Sequence, residues 1–200
     1  MFKFTILAFI LSTMMFFSCS DSENSNNLIN PEIAETYYPM EENMMWMYDD
    51  YSDGIFTEVT VSIIGKEILN GKSYYAFQQS GANSPSYFRE ESGIIYALIP
   101  AISQEQEFPM YRSDYTLGEK WEINYSVNGT EITESFEVME IGFSKEIGGK
   151  TYNELVEINK TVRMSETQVS TSYGIYSKGI GLVQSYRNND NQMYIVDYKF

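Results

Sequence analysis

A chain of 200 residues that is 43% hydrophobic and 20% charged has the composition of an ordinary globular protein and can form one domain or two small ones. Thirteen basic residues against 28 acidic ones leave a formal charge of −15, and the bases form no run or stripe, which argues against nucleic acid and anionic lipid surfaces as partners. Histidine is absent, which excludes Ser-His-Asp and Cys-His catalysis and histidine-ligated zinc, copper or iron, and a lone cysteine cannot form a disulfide within the chain.

Residues 1–18 read as an export signal. Met1-Phe2-Lys3 is a short positive start, and Phe4 to Phe17 is apolar apart from Thr5, Ser12 and Thr13. That run is too short for a comfortable membrane span. It ends at Phe16-Phe17-Ser18-Cys19, which resembles a bacterial lipoprotein lipobox with Phe16 where leucine is usual. The resemblance implies lipidation at Cys19, whose thiol is the nucleophile that takes the diacylglyceryl group, and several acyl chains on one residue hold firmly to a bilayer. Removing Lys3, the only charged residue of the leader, leaves −16.

Residues 19–36 read as a disordered tether. Ser-Asp-Ser-Glu-Asn-Ser-Asn-Asn is polar and free of aromatics, and residues 20–36 reach roughly 55–60 Å when extended. Asn30-Pro31-Glu32 is suited to cap a short helix over Pro31–Thr36. The acidic residues behind the cysteine resemble the surface-export signal of Bacteroidota-type lipoproteins. The implied address is the outer membrane, at the cell surface.

From Tyr37 onward the period is two. Ile55, Thr57, Val59, Val61 and Ile63 alternate with Phe56, Glu58, Thr60 and Ser62; Trp121, Ile123, Tyr125 and Val127 with Glu122, Asn124 and Ser126; and Tyr194, Val196, Tyr198 and Phe200 with Ile195, Asp197 and Lys199. Such alternation predicts an antiparallel sheet with one face buried. Asp53-Gly54, Asn70-Gly71, Asn128-Gly129 and Gly148-Gly149 each sit between alternating runs and supply the positive φ that type I′ hairpin turns need. The five prolines fall at punctuation. The pattern predicts about ten to twelve strands, longer loops near 80–86, 100–107 and 113–118, and a turn at Asn188–Asn191.

The chain resembles itself. Asn43 and Gly118, Trp46 and Trp121, and Gly54 and Gly129 are each 75 residues apart; Gly71 and Gly149 are 78 apart; Ser86-Tyr87 and Ser172-Tyr173, like Gly93-Ile94 and Gly179-Ile180, are 86 apart. An offset that grows only at turns is what a duplication with loop insertions leaves. The expected architecture is therefore all-β: two antiparallel meanders, about 38–112 and 113–200, in a single domain over 37–200. They pack as a β-sandwich or curl into a barrel or half-barrel. Asn43 stands where the "YPL…G..W" pattern of β-rich secreted and lipid-anchored bacterial domains, which Tyr38–Trp46 resembles, has glycine, and the resemblance implies a left-handed backbone position there.

Tyr38-Pro-Met-Glu-Glu-Asn-Met-Met-Trp46 and Tyr176-Ser-Lys-Gly-Ile-Gly-Leu-Val183 resemble the "YPL…G..W" opening and "Y…GVGLV" closing of a β-rich domain of secreted and lipid-anchored bacterial proteins. The resemblance covers residues 38 to about 185. It implies a fold and carries no assigned activity.

Few constellations suggest chemistry. Asp49-Asp50-Tyr-Ser-Asp53-Gly54 has the start of a calcium loop, but its twelfth position is Thr60 and not a bidentate glutamate. A glycosidase-like hydrolase needs two carboxylates and no histidine, and Glu90, Glu91, Glu134 and Glu154 are its candidates, the last two at inward phase. Met40, Met44, Met45 and Met47 offer thioethers for copper(I), or simply core filling. Seventeen tyrosines offer a strip for stacking on sugars or anchoring a protein, or half-buried strand positions. The reading that emerges is a non-enzymatic, lipid-anchored module for a small-molecule, glycan or protein ligand, with no metal or cofactor. A carboxylate hydrolase and a half-barrel holding an acyl chain are the alternatives.

Overall fold

The computed structural model describes residues 36–100, 102–103, 105–164, 169–188 and 191–200. The export signal, Cys19 and the tether up to residue 35 lie outside the described residues, as does the short helix expected from Pro31, except for Thr36, which is not helical.

Alternation becomes strand throughout. The elements are β1 (Met45–Ser52), β2 (Ile55–Leu69), β3 (Lys72–Gln79), β4 (Ser86–Glu91), β5 (Ile94–Leu98), β6 (Glu107–Arg112), β7 (Lys120–Val127), β8 (Thr130–Ile147), β9 (Lys150–Arg163), β10 (Val169–Ser177), β11 (Gly181–Asn188) and β12 (Asn191–Lys199). No helix occurs among the described residues. All strands join one antiparallel sheet in the order β6-β5-β4-β3-β2-β1-β12-β11-β10-β9-β8-β7. Each neighbouring pair is consecutive in sequence except β1 and β12, whose ladder runs from Met45–Lys199 to Tyr51–Gln192. The two free edges, β6 and β7, also face each other. The Trp121 indole donates to the main-chain oxygen of Met110 at 3.1 Å, and Phe108 meets Tyr125 edge-on at 5.3 Å. The sheet is thus curled into an almost closed barrel whose seam is held by side chains.

The turns follow the sequence. φ is positive at Asp53 and Gly54, Asn70 and Gly71, Asn128 and Gly129, and Gly148 and Gly149, and at Asn43 it is 70°. Ser92-Gly93, which closes β4 onto β5, is a fifth such turn with φ of 54° and 77°. Pro109 corrects the punctuation rule: it lies inside β6, where an edge strand tolerates the missing N–H. The phase of β12 is also corrected. The register of β1 on β12 slips between Met47 and Tyr48, so Ile195 is buried while Val196 is exposed.

The two longest hairpins bend back over the sheet. The β2–β3 ladder slips between Ile63 and Gly65, and the β8–β9 ladder slips three times between Val138 and Lys145. Glu154 takes φ 51° in the second arm. The tip of β2–β3 reaches past β4 and β5 to β6, where the Lys72 ammonium pairs with Glu107 and the Tyr74 hydroxyl donates to the same carboxylate at 2.6 Å. The tip of β8–β9 reaches past β10 and β11 to β12, where Lys150 Nζ donates to the Val196 carbonyl at 2.9 Å and Gly148 packs on Tyr194 and Ile195. Lys72 and Lys150, like Tyr74 and Tyr152, are 78 residues apart.

Two core clusters result, each holding one tryptophan. One joins Ala97, Phe108 and Met110 of β5 and β6 to Trp121, Ile123, Phe136, Val156 and Tyr176. The other joins Met44, Trp46, Tyr48, Val59 and Ile63 to Leu155, Ile175, Val183 and Ile195. Each cluster draws on both halves of the chain, so neither half buries its apolar face alone.

Candidate functional site

Residues 36–40 precede β1 and run between the two halves. The Tyr37 amide donates to the Ser113 carbonyl at 3.1 Å, and the Gly179 amide donates to the Thr36 carbonyl at 2.9 Å. Pro39 lies against Gly181: a Cβ there would sit 3.6 Å from Pro39 Cδ and 3.8 Å from Trp46 Nε1, at a φ of +98° that favours glycine. The Trp46 indole donates to the Ile180 carbonyl at 2.5 Å, and the Tyr48 hydroxyl donates to the Leu182 carbonyl at 3.1 Å. The opening and closing motifs of the sequence therefore bind each other.

This strap delivers the Tyr38 ring into an aromatic basin. Tyr38 stacks on Tyr111 at 4.7 Å and 20°, and lies 5.6 Å from Phe88 and 6.2 Å from Phe77. Phe77 meets Phe88 at 4.8 Å and stacks on Trp46 at 6.0 Å, and Tyr111 lies 5.9 Å from Tyr176. Strand alternation puts Tyr75 and Phe77, Phe88, and Tyr111 on the face of the sheet that Trp46 occupies.

Burial raises the Tyr38 hydroxyl well above its ordinary pKa, and the hydroxyls of Tyr111, Tyr48 and Tyr115 nearby add to that. Burial pushes Tyr111 up to about 12 against a hydrogen bond with Tyr176, and raises Tyr176 well above the usual range. These hydroxyls stay protonated at any physiological pH. They can donate and accept hydrogen bonds and cannot serve as bases. Yet Tyr38, Tyr75, Phe77, Phe88 and Tyr111 are only half-buried. These rings keep some accessible surface and so can make further flat contacts.

The carboxylate candidates separate. Glu134 faces inward as its phase predicts and is 1% exposed. Tyr125 donates to its Oε1 at 2.8 Å, and Lys160 Nζ lies 2.8 Å from Oε2, at an angle poor for a directed hydrogen bond, so charge holds that oxygen. Glu154 is a correction: the positive φ at that residue breaks the alternation and leaves the side chain exposed. Glu90 and Glu91 are also exposed, though Glu91 pairs with Arg89 at 2.8 Å. The other inward acid, Asp50, accepts from the Ser52 hydroxyl at 3.0 Å, and burial raises its pKa. It stands on a strand of the Trp46 cluster, whereas Glu134 belongs with the Trp121 cluster.

Asp49 and Asp50 point to opposite faces of β1, and Asp53 sits in the turn, so the calcium-loop residues diverge. Among the described residues, no group of three or more acids that could hold a metal occurs. Met44 is core, its sulfur accepting from the Glu41 amide at 3.1 Å, and Met45 and Met47 lie on the opposite face of β1 from Trp46. The tyrosine strip does not form: Tyr51 alone of the tyrosines is exposed.

Sequence reading missed one ionic site. Arg89 on β4 forks onto Glu107 through Nε and, at 2.9 Å, Nη2, while its guanidinium covers the Tyr96 ring at 4.6 Å. Arg89, Lys72 and Tyr74 together hold the Glu107 carboxyl down at about 2. No family model matches the chain, and no curated protein matches it. Among solved structures, the chain is similar to a candidate exported protein with a YmcC-like fold from Bacteroides fragilis, at 11% identity and a TM-score of 0.47, over 83% of this chain and all of that one. It is likewise similar to a candidate lipoprotein from Parabacteroides distasonis, at 15% identity and a TM-score of 0.47, over 83% of this chain and 99% of that one.

Proposed function

We propose that the protein is an exported, lipid-anchored β module of the outer membrane, facing the cell surface, that binds a small uncharged ligand in the aromatic basin without transforming it. The half-buried rings gathered around Tyr38 carry this reading. Flat aromatic walls take a ligand with apolar faces, and protonated tyrosine hydroxyls give it donors and acceptors. An acyl chain has nothing to offer those hydroxyls along its length, so a flat molecule or a sugar ring suits the basin better. The leader and Cys19 support the anchor. The recurrence of turns and of hairpin tips at offsets that grow from 75 to 86 supports an origin by duplication, with two meanders sharing one domain.

Metabolic labelling with an alkyne-tagged fatty acid tests the anchor: it marks the wild type and not Cys19→Ala, and equal labelling would end that claim. A thermal-shift series on the full chain in detergent, with neutral oligosaccharides, flat aromatic molecules and long-chain fatty acids, tests the basin. Stabilisation by either of the first two supports the reading, and stabilisation by fatty acids alone replaces it with the acyl-carrier alternative.

A further inference from the structure

The β1–β2 hairpin and β12 build a second surface, on the face of the sheet opposite to Trp46. Phe56, Tyr51 and Tyr194 form a row across three neighbouring strands, with ring centroids 5.2 Å and 5.9 Å apart. Phe56 is 51% exposed and Tyr51 37%. Tyr51 and Tyr194 stack at 18°. Asp49 and Glu58, directly paired across β1 and β2, flank the row on the same face. Residues 45–65 contain four acids and no base, and Lys150 on the adjoining hairpin tip is engaged by the Val196 carbonyl.

The fold does not require these rings. The β7–β8 hairpin closes on the same positive-φ pair, Asn128-Gly129. There, 75 residues on, Tyr51 is matched by Ser126, Ile55 by Thr130 and Phe56 by Glu131. A hairpin of this shape forms with polar residues at those positions. The apolar exposure at Tyr51, Ile55 and Phe56 therefore costs solubility without serving the turn.

We infer that the Phe56–Tyr51–Tyr194 row, with Asp49 and Glu58, is a docking surface for a cationic protein segment that presents arginine or lysine. Guanidinium and ammonium groups stack on aromatic faces and pair with adjacent carboxylates. The strongly acidic chain attracts such a partner over long range, and it repels anionic lipid and nucleic acid. This surface is separate from the basin, and its test stands apart from that of the basin.

The probe is a fluorescent (Arg-Ala)5 peptide, with (Glu-Ala)5 as its counterpart, titrated by anisotropy against the full chain in non-ionic detergent. The cationic peptide binds saturably and weakens with salt, and the acidic one does not bind. Tyr51→Ser with Phe56→Glu installs the residues of the matching hairpin, keeps the thermal midpoint and adds negative charge, yet weakens binding at least tenfold. Asp49→Asn with Glu58→Gln weakens it several-fold. Undiminished binding by the aromatic variant would mean diffuse attraction to an acidic surface and would overturn the inference. Competition by maltoheptaose would overturn it in favour of a sugar platform. If the double variant does not fold, Phe56→Ser alone must still weaken binding, and an unchanged affinity for it is equally fatal.

Discussion

Tyr38 and Tyr111 lie ring on ring, 4.7 Å between centroids and 20° from parallel, although one belongs to the strap before β1 and the other to the edge strand β6. The contact ties the strap to the seam of the barrel. Tyr38→Ala removes the hub of three aromatic contacts and lowers stability by roughly 2–4 kcal/mol, in the range of large-to-small core changes. Tyr38→Phe keeps the rings and costs less than about 1.5 kcal/mol. Urea denaturation with the slope held fixed measures both.

Gly174 gives a sharper steric test. A Cβ at that position would lie 2.8 Å from Tyr176 Cε2 and 3.1 Å from its hydroxyl oxygen. The Tyr176 ring is buried and has little room to retreat. Gly174→Ala thus costs roughly 1–3 kcal/mol as overpacking and shifts Tyr176 against Tyr111. A lower thermal midpoint together with a changed near-UV tyrosine spectrum is the expected pair of observations.

The Arg89–Glu107 fork predicts a pH dependence. Glu107 has its folded pKa depressed from 4.5 to about 2, first through the hydrogen bonds from Arg89. A depressed carboxylate contributes stability that is fully present above its unfolded value and is lost as the pH falls through the folded one. Wild type therefore loses stability between about pH 4.5 and 2, and the group is worth at most about 3 kcal/mol. Glu107→Gln is less stable at pH 7 and shows a flatter profile in that window. Parallel profiles for the two proteins would contradict the assignment.

Glu134 and Lys160 form the other buried ionic contact, with Lys160 also 5.7 Å from the Phe136 ring. Lys160→Met leaves a nearly inaccessible carboxylate with only Tyr125 as donor. Breaking a buried pair in this way costs roughly 3–5 kcal/mol. Converting both residues, Glu134→Leu with Lys160→Met, recovers much of that loss. A double-mutant cycle gives the coupling.

Strands, turns and the all-β class are legible in the sequence because period two and Asn/Asp-Gly pairs have local causes. Asp53 and Asn128 needed no tertiary information. The bending of the long hairpins was less visible, though Gly65 and Gly142 inside strand patterns mark such bulges. Slips in register explain the two errors of phase, at Ile195 and Glu154, since one extra residue swaps the faces of everything beyond it. The basin was not legible at all. Tyr38 was read as part of a motif, but its meeting with Phe77, Phe88 and Tyr111 depends on how far the sheet curls, a property of the closed barrel and of no single stretch.

The basin can be read out directly with N-phenyl-1-naphthylamine, an uncharged flat fluorophore that accepts energy from tryptophan. Trp46 stacks on Phe77 at the basin wall, and Tyr38, Phe88 and Tyr111 pack against the cluster that holds Trp121, so both indoles lie near the basin. Titrated into the folded full chain, the probe should brighten saturably at one site with energy transfer from tryptophan, and Tyr38→Ala should weaken its binding at least tenfold while Phe56→Ser on the opposite face leaves it unchanged. No saturable brightening, or binding indifferent to Tyr38→Ala, would contradict a ligand site around Tyr38.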